Sequence, residues 1–359
     1  MSVATPVPTT ASHMYTTMHR QPDDLRRLMS EGWAPAKEAA IRLAGAKRVI
    51  VSGVGTSYHA ALVGAWLLRA AGADARAILS ADLALYPDAC ALRSDDAVIV
   101  MAHSGVKTVS AQAMAMAGAA GATVLSIGSL TAEHPGSSLV LRTVEREKSA
   151  AFTSSHQAAM MVLAQIATEL GERNGAAGTS EFREALERLP GLVAGVLARE
   201  AEIEPVAARA VEQRLYAAGA GPNAATALEA VIKVREAAYG WIDALPLEQF
   251  LHGPIVAVNA GDLAVLVNVP GRAATRVAEI AAVLAAIGAE LWLVGDAVPA
   301  VPKATVFSLP ELLEPLSPLL AVVPMQILAY QMAVAKGLNP DTFRRDNPTY
   351  ATAFGLLKL

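Results

Sequence analysis

The feature that most limits what this chain can become is a repeat. Adding 166 to each position places Gly53 and Gly55 on Gly219 and Gly221, Asp96 on Asp262, and Gly105 on Gly271. With one extra residue in the second half, TVLSIG at 123–128 falls on ELWLVG at 290–295. Self-similarity at one fixed offset marks a duplicated structural unit. Two copies are too few to stack as a solenoid, so the expectation is a pair of similar subdomains.

The repeated unit reads as α/β. RVIVSG, DAVIVMA and TVLSIG are short β-branched runs, and TSYHAALVGAWLLRAA and KTVSAQAMAMAGAAG are the Ala-rich helical stretches between them. Strands alternating with helices imply a parallel sheet wound on both faces. Composition agrees: 53% of residues are apolar and only 5% aromatic, which suits Ala, Val and Leu helices covering a sheet. At about 150 residues per domain, 359 residues accommodate two doubly wound subdomains. The organisation expected is a disordered tail over 1–13, a helical segment over 14–45, a first subdomain over 46–172, a helical linker over 173–205, a second subdomain over 206–335 and a C-terminal tail over 336–359 near the active site.

A formal charge of −4 with mixed signs argues against nucleic acid as a partner. The single cysteine, Cys90, excludes an intramolecular disulfide and a cysteine metal cluster, and fits a reducing, cytoplasmic setting. Residues 1–12 lack the basic and apolar regions of a signal peptide. The runs GAWLLRAAGADARAIL and AEIAAVLAAIGAELWLV are broken by charges or Gly before the roughly 20 residues of a membrane span, so no membrane partner is expected.

Ligands of parallel sheets bind beyond the carboxyl ends of the strands. In the first half these ends are GVGTSYH (53–59), AHSGVKTVS (102–110) and EREKSAAFTSSH (145–156). All are rich in hydroxyls and small residues, which with helix N-terminal amides suit a phosphate monoester; Lys107 and Lys148 add positive charge. Helix capping is the commonest use of such residues. In the second half, however, Thr56, Ser57 and Ser104 correspond to Pro222, Asn223 and Pro270, so capping alone does not account for the first copy.

The second half carries other chemistry. Glu229, Lys233 and Glu236 stand at i, i+4 and i+7 in ALEAVIKVREAAY and share one face of an apolar helix. A surface pair at this spacing adds only a few tenths of a kcal/mol. His252, in an FLHGP turn, gains interest from their company: a carboxylate and an imidazole make a base and an acid.

GTSYHAAL, ALEAVIKVREAAY, EQFLHGP and VVPMQILAYQMAVAKGLNPD together resemble the sugar isomerase (SIS) superfamily, most closely the isomerase half of the glucosamine-6-phosphate synthases, from about Met14 to Tyr350. The resemblance also extends to the deaminases, ketose/aldose isomerases and deglycases of sugar phosphates. It implies a sugar-phosphate substrate bound by Gly55, Thr56, Ser57, His103, Ser104, Ser149 and Glu229. Lys107 stands where the family has the last hydroxyl of its phosphate loop, so either Lys107 or Thr108 takes that place. It further implies Glu236 as the C1–C2 proton carrier, Lys233 as its support, His252 as the ring-opening group reaching from a neighbouring subunit of a homodimer, and no metal or organic cofactor. Two departures stand out: no glutamine-hydrolysing domain is seen, and Pro348 occupies the position of the family's Schiff-base lysine, so that covalent step is lost unless another lysine, such as Lys358, substitutes. The expected activity is therefore isomerase, deaminase or deglycase chemistry on a ketose or amino-sugar 6-phosphate. A non-catalytic sugar-phosphate regulator and an ammonia-dependent aminotransferase are the alternatives.

Overall fold

The computed structural model describes residues 12–297 and 301–357. The tail expected over 1–13, apart from Ser12 and His13, lies outside the described residues, as does Lys358. The chain divides into two units. One is built on Arg20–Glu147 and Ser154–Pro190; the other is built on the described residues of Gly191–Phe354 with Lys148–Thr153 and residues 12–19.

In chain order, α1 (His13–Glu31) and α2 (Trp33–Leu43) lead into β1 (Arg48–Gly53), α3 (Thr56–Ala70), β2 (Ala75–Leu79), the short α4 (Ser80–Leu85) and α5 (Pro87–Cys90), and β3 (Asp96–Met101). Then come α6 (Thr108–Ala119), β4 (Thr123–Gly128), β5 (Leu139–Arg142), α7 (Ser154–Asn174) and α8 (Thr179–Leu197). The five strands form one sheet in the order β2-β1-β3-β4-β5, every pair parallel. All six residues of β3 are buried, as a central strand covered on both faces requires. Behind it α7 is buried along 154–171 and packs on α2 and α3.

The other unit continues with α9 (Glu204–Ala210), β6 (Leu215–Gly219), α10 (Ala224–Ala238), β7 (Ile242–Pro246), α11 (Leu247–Leu251) and β8 (Leu263–Val267). It ends with α12 (Ala274–Ile287), β9 (Glu290–Val294), β10 (Thr305–Phe307), α13 (Pro318–Ala335) and α14 (Pro348–Phe354). Its parallel sheet runs β10-β9-β8-β6-β7, the first order strand for strand when read from the other edge. The fold is α/β with two doubly wound sheets of one topology, as the repeat predicts. The strands β2 and β7 are not among those expected. ARAIL follows the helical stretch TSYHAALVGAWLLRAA in a run broken by Gly72 and Asp74, and IDALP carries a Pro and alternates weakly.

Glu314–Ala335 is long and apolar enough, by length and composition, to cross a membrane, and 83% of its most apolar stretch is buried within the protein. Its apolarity all round serves packing: α13 lies on α9 and α10.

The glycines of the repeat have a steric cause. A Cβ on Gly53 would stand 2.6 Å from the Ser57 carbonyl carbon, and one on Gly219 2.2 Å from the Asn223 oxygen. Each strand thus ends in contact with the first turn of its following helix. Two residues on, Gly55 and Gly221 take φ of 59° and 55°, a region that disfavours residues with a Cβ. The repeated Asp is also structural: Asp96 accepts from the Arg93 N–H and Asp262 from the Asn259 N–H, each at 2.8 Å, closing the same turn before β3 and β8. Asp96 additionally holds Arg48 at 2.5 Å.

Gly53→Ala is expected to lower the unfolding free energy by about 1–3 kcal/mol, the usual effect of overpacking. Gly118→Ala, where an added Cβ meets nothing within 4 Å on α6, is expected to raise it by about 0.5–1 kcal/mol. Urea unfolding of the two variants beside the parent chain measures both.

Candidate functional site

In a sheet of this order the ligand crevice lies at the carboxyl ends of β1 and β3, where the winding reverses. In the first unit these ends carry the two turns singled out by their hydroxyls. The first turn passes through Gly55 (ψ −131°) into α3, with Gly55 itself at the cap position and no side-chain cap. Thr56 and Ser57 are the first two residues of α3 and half-buried. Capping therefore does not explain them.

The second turn leaves β3 at Ala102. His103 and Ser104 are half-buried, and Lys107 and Thr108 are exposed at the start of α6, again without a side-chain cap. Thr108 has φ of 29°, a strained value for a β-branched residue, of the kind that collects at ligand-binding turns. The loop is braced from behind. The Ser129 N–H donates to the His103 oxygen at 3.0 Å, and the Glu147 N–H donates to His103 Nε2 at 3.3 Å. Burial holds the His103 pKa below its ordinary range, and the nearby Arg146 and Arg20 charges act in the same direction against Glu147. His134 packs against Gly128, where an added Cβ would meet its ring. Burial and then the Arg142 charge bring its pKa down to about 4.

The third expected turn is used differently. The α7 N-terminus is capped by the protein's own carboxylate: Glu147, 6% exposed, accepts from the Ser155 N–H at 2.7 Å. Ser154 Oγ donates to Asp24 at 2.5 Å. Ser149 is buried, accepts from the Ala151 N–H at 3.2 Å, and belongs to the segment Lys148–Thr153 counted with the second unit. There the Ala150 N–H donates to the Asp341 oxygen.

In the second unit the equivalent turns are filled from within. Asn223, the counterpart of Ser57, is 2% exposed, donates to Ser317 Oγ at 2.7 Å and accepts from Thr226. At Gly271, the counterpart of Gly105, a Cβ would meet the Glu314 carboxyl group. The next N–H, of Arg272, donates to both Glu314 oxygens at 3.2 Å.

The charged face of α10 is not a surface pair. Glu229 and Lys233 have fully buried side chains, and Glu236 is 19% exposed. Lys233 Nζ lies 2.5 Å from Glu236 and 3.6 Å from Glu229, so one ammonium serves two carboxylates. Burying such a group costs more than an exposed pair returns, which makes a merely stabilising role a poor account of it. Past the triad, α10 ends at Tyr239 in the left-handed region. Glu236 there lines a cavity of about 370 Å³ with Tyr239, Trp241, Phe343, Arg344 and Tyr350. Sequence reasoning missed this cavity. Its signal was the gathering of aromatics around α10 and the C-terminal segment in a chain with only four Trp, seven Tyr and six Phe.

His252 is not paired with Glu236. It caps α11 with 71% of its side chain exposed and sits 3.3 Å from Glu248, which Arg276 also holds. Pro348 opens α14, exposed. Among the described residues no group of three or more His, Cys, Asp or Glu could hold a metal ion.

Two parallel sheets of this order, with hydroxyl-bearing turns at the switch point of one, define a doubly wound α/β protein. Residues 42–169 match the SIS domain model. The chain is 30% identical over 334 residues to a glutamine–fructose-6-phosphate aminotransferase [isomerizing] of Pyrococcus horikoshii, covering 91% of this chain and 56% of that protein. It thus spans little more than half the length of that curated relative. Its fold matches the C-terminal domain of the glucosamine-fructose-6-phosphate aminotransferase from Francisella tularensis with a TM-score of 0.83 at 19% identity, over 91% of this chain and 97% of that one. It also matches a glucosamine-6-phosphate deaminase from Thermotoga maritima with a TM-score of 0.75 at 20% identity, over 92% and 97%.

Two predictions follow from the electrostatics. Lys233→Met leaves the buried Glu229 and the partly exposed Glu236 without this cation and is expected to cost about 3–5 kcal/mol in urea unfolding, part of which returns when Glu229→Gln is added. His134 binds its proton less readily folded than unfolded, so the stability it contributes is complete above pH 6.5 and falls away toward pH 4. Thermal unfolding across that window should show a decline that His134→Gln flattens.

Proposed function

We propose that this protein is an enzyme acting on a ketose or amino-sugar 6-phosphate by ring opening and C1–C2 proton transfer. The observation that carries the proposal is the Glu229–Lys233–Glu236 triad. It presents one partly exposed carboxylate, held at 2.5 Å by a buried ammonium, to an open cavity. A carboxylate fixed in this way serves as a base for the proton beside a carbonyl or imine. The enediol or enolamine that results is common to isomerisation, deamination and deglycation.

In this reading Thr56, Ser57, Ser104, Lys107 and Thr108 hold the phosphate, with Gly55 giving the turn its conformation and His103 bracing the second loop. The second copy supports that role, since its equivalent turn binds an anion, the Glu314 carboxylate, through a backbone N–H. The names of the Pyrococcus horikoshii and Thermotoga maritima proteins agree with a sugar-phosphate substrate. His252 opens the ring or protonates the departing amine; its exposure fits presentation to a neighbouring copy in a homodimer. A cytoplasmic setting, where such substrates are found, belongs to the same proposal.

Glu236→Gln is expected to lower turnover by about 10²–10⁴-fold while leaving the dissociation constant for the sugar phosphate little changed. Fructose 6-phosphate, glucosamine 6-phosphate and amino-acid adducts of fructose 6-phosphate, offered in turn while aldose, ammonia and amine are followed, identify the reaction. Tight binding without turnover of any of them would overturn the enzyme in favour of a sensor.

A further inference from the structure

The cavity beside Glu236 combines aromatic walls with a cation. Its walls are aromatic: Tyr239, Trp241, Phe343 and Tyr350 line it, with Trp241 half exposed. Within them lies Arg344, whose guanidinium carbon is 4.1 Å from the Tyr350 ring centre and 4.9 Å from that of Tyr239. Among the described residues Arg344 has no carboxylate partner, while Glu236 already has Lys233. Arg344 is therefore a cation of the cavity without a carboxylate partner, beside Arg235, whose guanidinium donates to the Ile242 oxygen. Stacking between two tyrosines fixes the guanidinium plane and leaves its edge, where the N–H groups lie, to meet a planar anion. The Tyr239 hydroxyl is buried and has no hydrogen-bond partner, which native structures seldom leave so. The backbone that places Arg344 is itself unusual, with Phe343 and Arg344 at φ of 54° and 60°, a conformation residues with a Cβ adopt at a cost.

We propose that this cavity is a subsite for a carboxylate carried on an apolar or aromatic body, joined through nitrogen to the carbon on which Glu236 acts. Arg344 binds the carboxylate, the Tyr239 hydroxyl adds a hydrogen bond, and the aromatic walls take the apolar body. The cavity, about 370 Å³, is of the size that encloses a small organic group. The substrate class is then an N-substituted amino-sugar phosphate whose substituent is an amino acid with a large apolar side chain. This assignment rests on the role of Glu236 given under Proposed function.

Calorimetry with two conjugates of fructose 6-phosphate, one bearing phenylalanine and the other phenylalaninamide, tests it. The pair differs only in the carboxylate. The parent chain should bind the carboxylate form about tenfold more tightly, the effect of one charge-assisted hydrogen-bonded pair. In Arg344→Gln, checked for folding by its thermal midpoint, the ratio should fall to about one. Tyr350→Leu, which takes away one stacking ring, should reduce it as well. Equal affinity of the parent chain for the two conjugates overturns the inference, and so does a ratio that survives Arg344→Gln. Fructose 6-phosphate alone is the separate control: failure to bind it refutes the sugar-phosphate reading, whereas binding it without preference between the conjugates refutes only the subsite.

Discussion

Thr56 and Ser57 in the first copy, and the Glu229–Lys233–Glu236 triad in the second, are placed by the close approach of a helix to the end of a strand. At Gly53 and Gly219 there is no room for a Cβ against the backbone of the following turn. That contact sets where α3 and α10 begin, and a helix once begun fixes every later residue by its period. In the first copy it brings Thr56 and Ser57 to the switch point of the sheet. In the second it counts along α10 so that Glu229, Lys233 and Glu236 fall on one buried face.

The two copies share this geometry and divide its uses. A turn of exposed amides and hydroxyls attracts anions, so a duplicated turn poses a problem wherever no ligand is wanted. The second copy answers with its own side chains, Asn223 bonded to Ser317 and Glu314 bonded to Arg272 N–H. The first copy spends no side chain on capping α3 or α6. Its own carboxylates go instead to α7, where Glu147 closes the helix end.

Much of the fold was legible in the sequence because steric needs repeat with the backbone. The glycines and aspartates at the 166-residue offset mark positions where any other residue fails locally, and they disclosed both sheets. The strands β2 and β7 stayed hidden because ARAIL and IDALP are short and only partly apolar, and tertiary pairing to β1 and β6 makes them strands. The triad on α10 was readable from spacing, but its burial was not, since that depends on α13 packing across it. Ser149 and His252 were readable as residue types only. What each touches is decided by loops whose paths the sequence does not encode in any period. The aromatic cavity was invisible for the same reason, its walls coming from residues about a hundred positions apart.

Glu314 sets the second copy's turn apart from the first. A carboxylate tethered to the same chain and already seated on the Arg272 amide acts as a bound ligand at a very high effective concentration. Free phosphate esters at cellular levels compete with it at a disadvantage that no dilution removes. The duplication therefore leaves the two equivalent turns of one topology unlike: one is filled by a carboxylate of the same chain, and the other keeps its helix N-terminus without a side-chain cap.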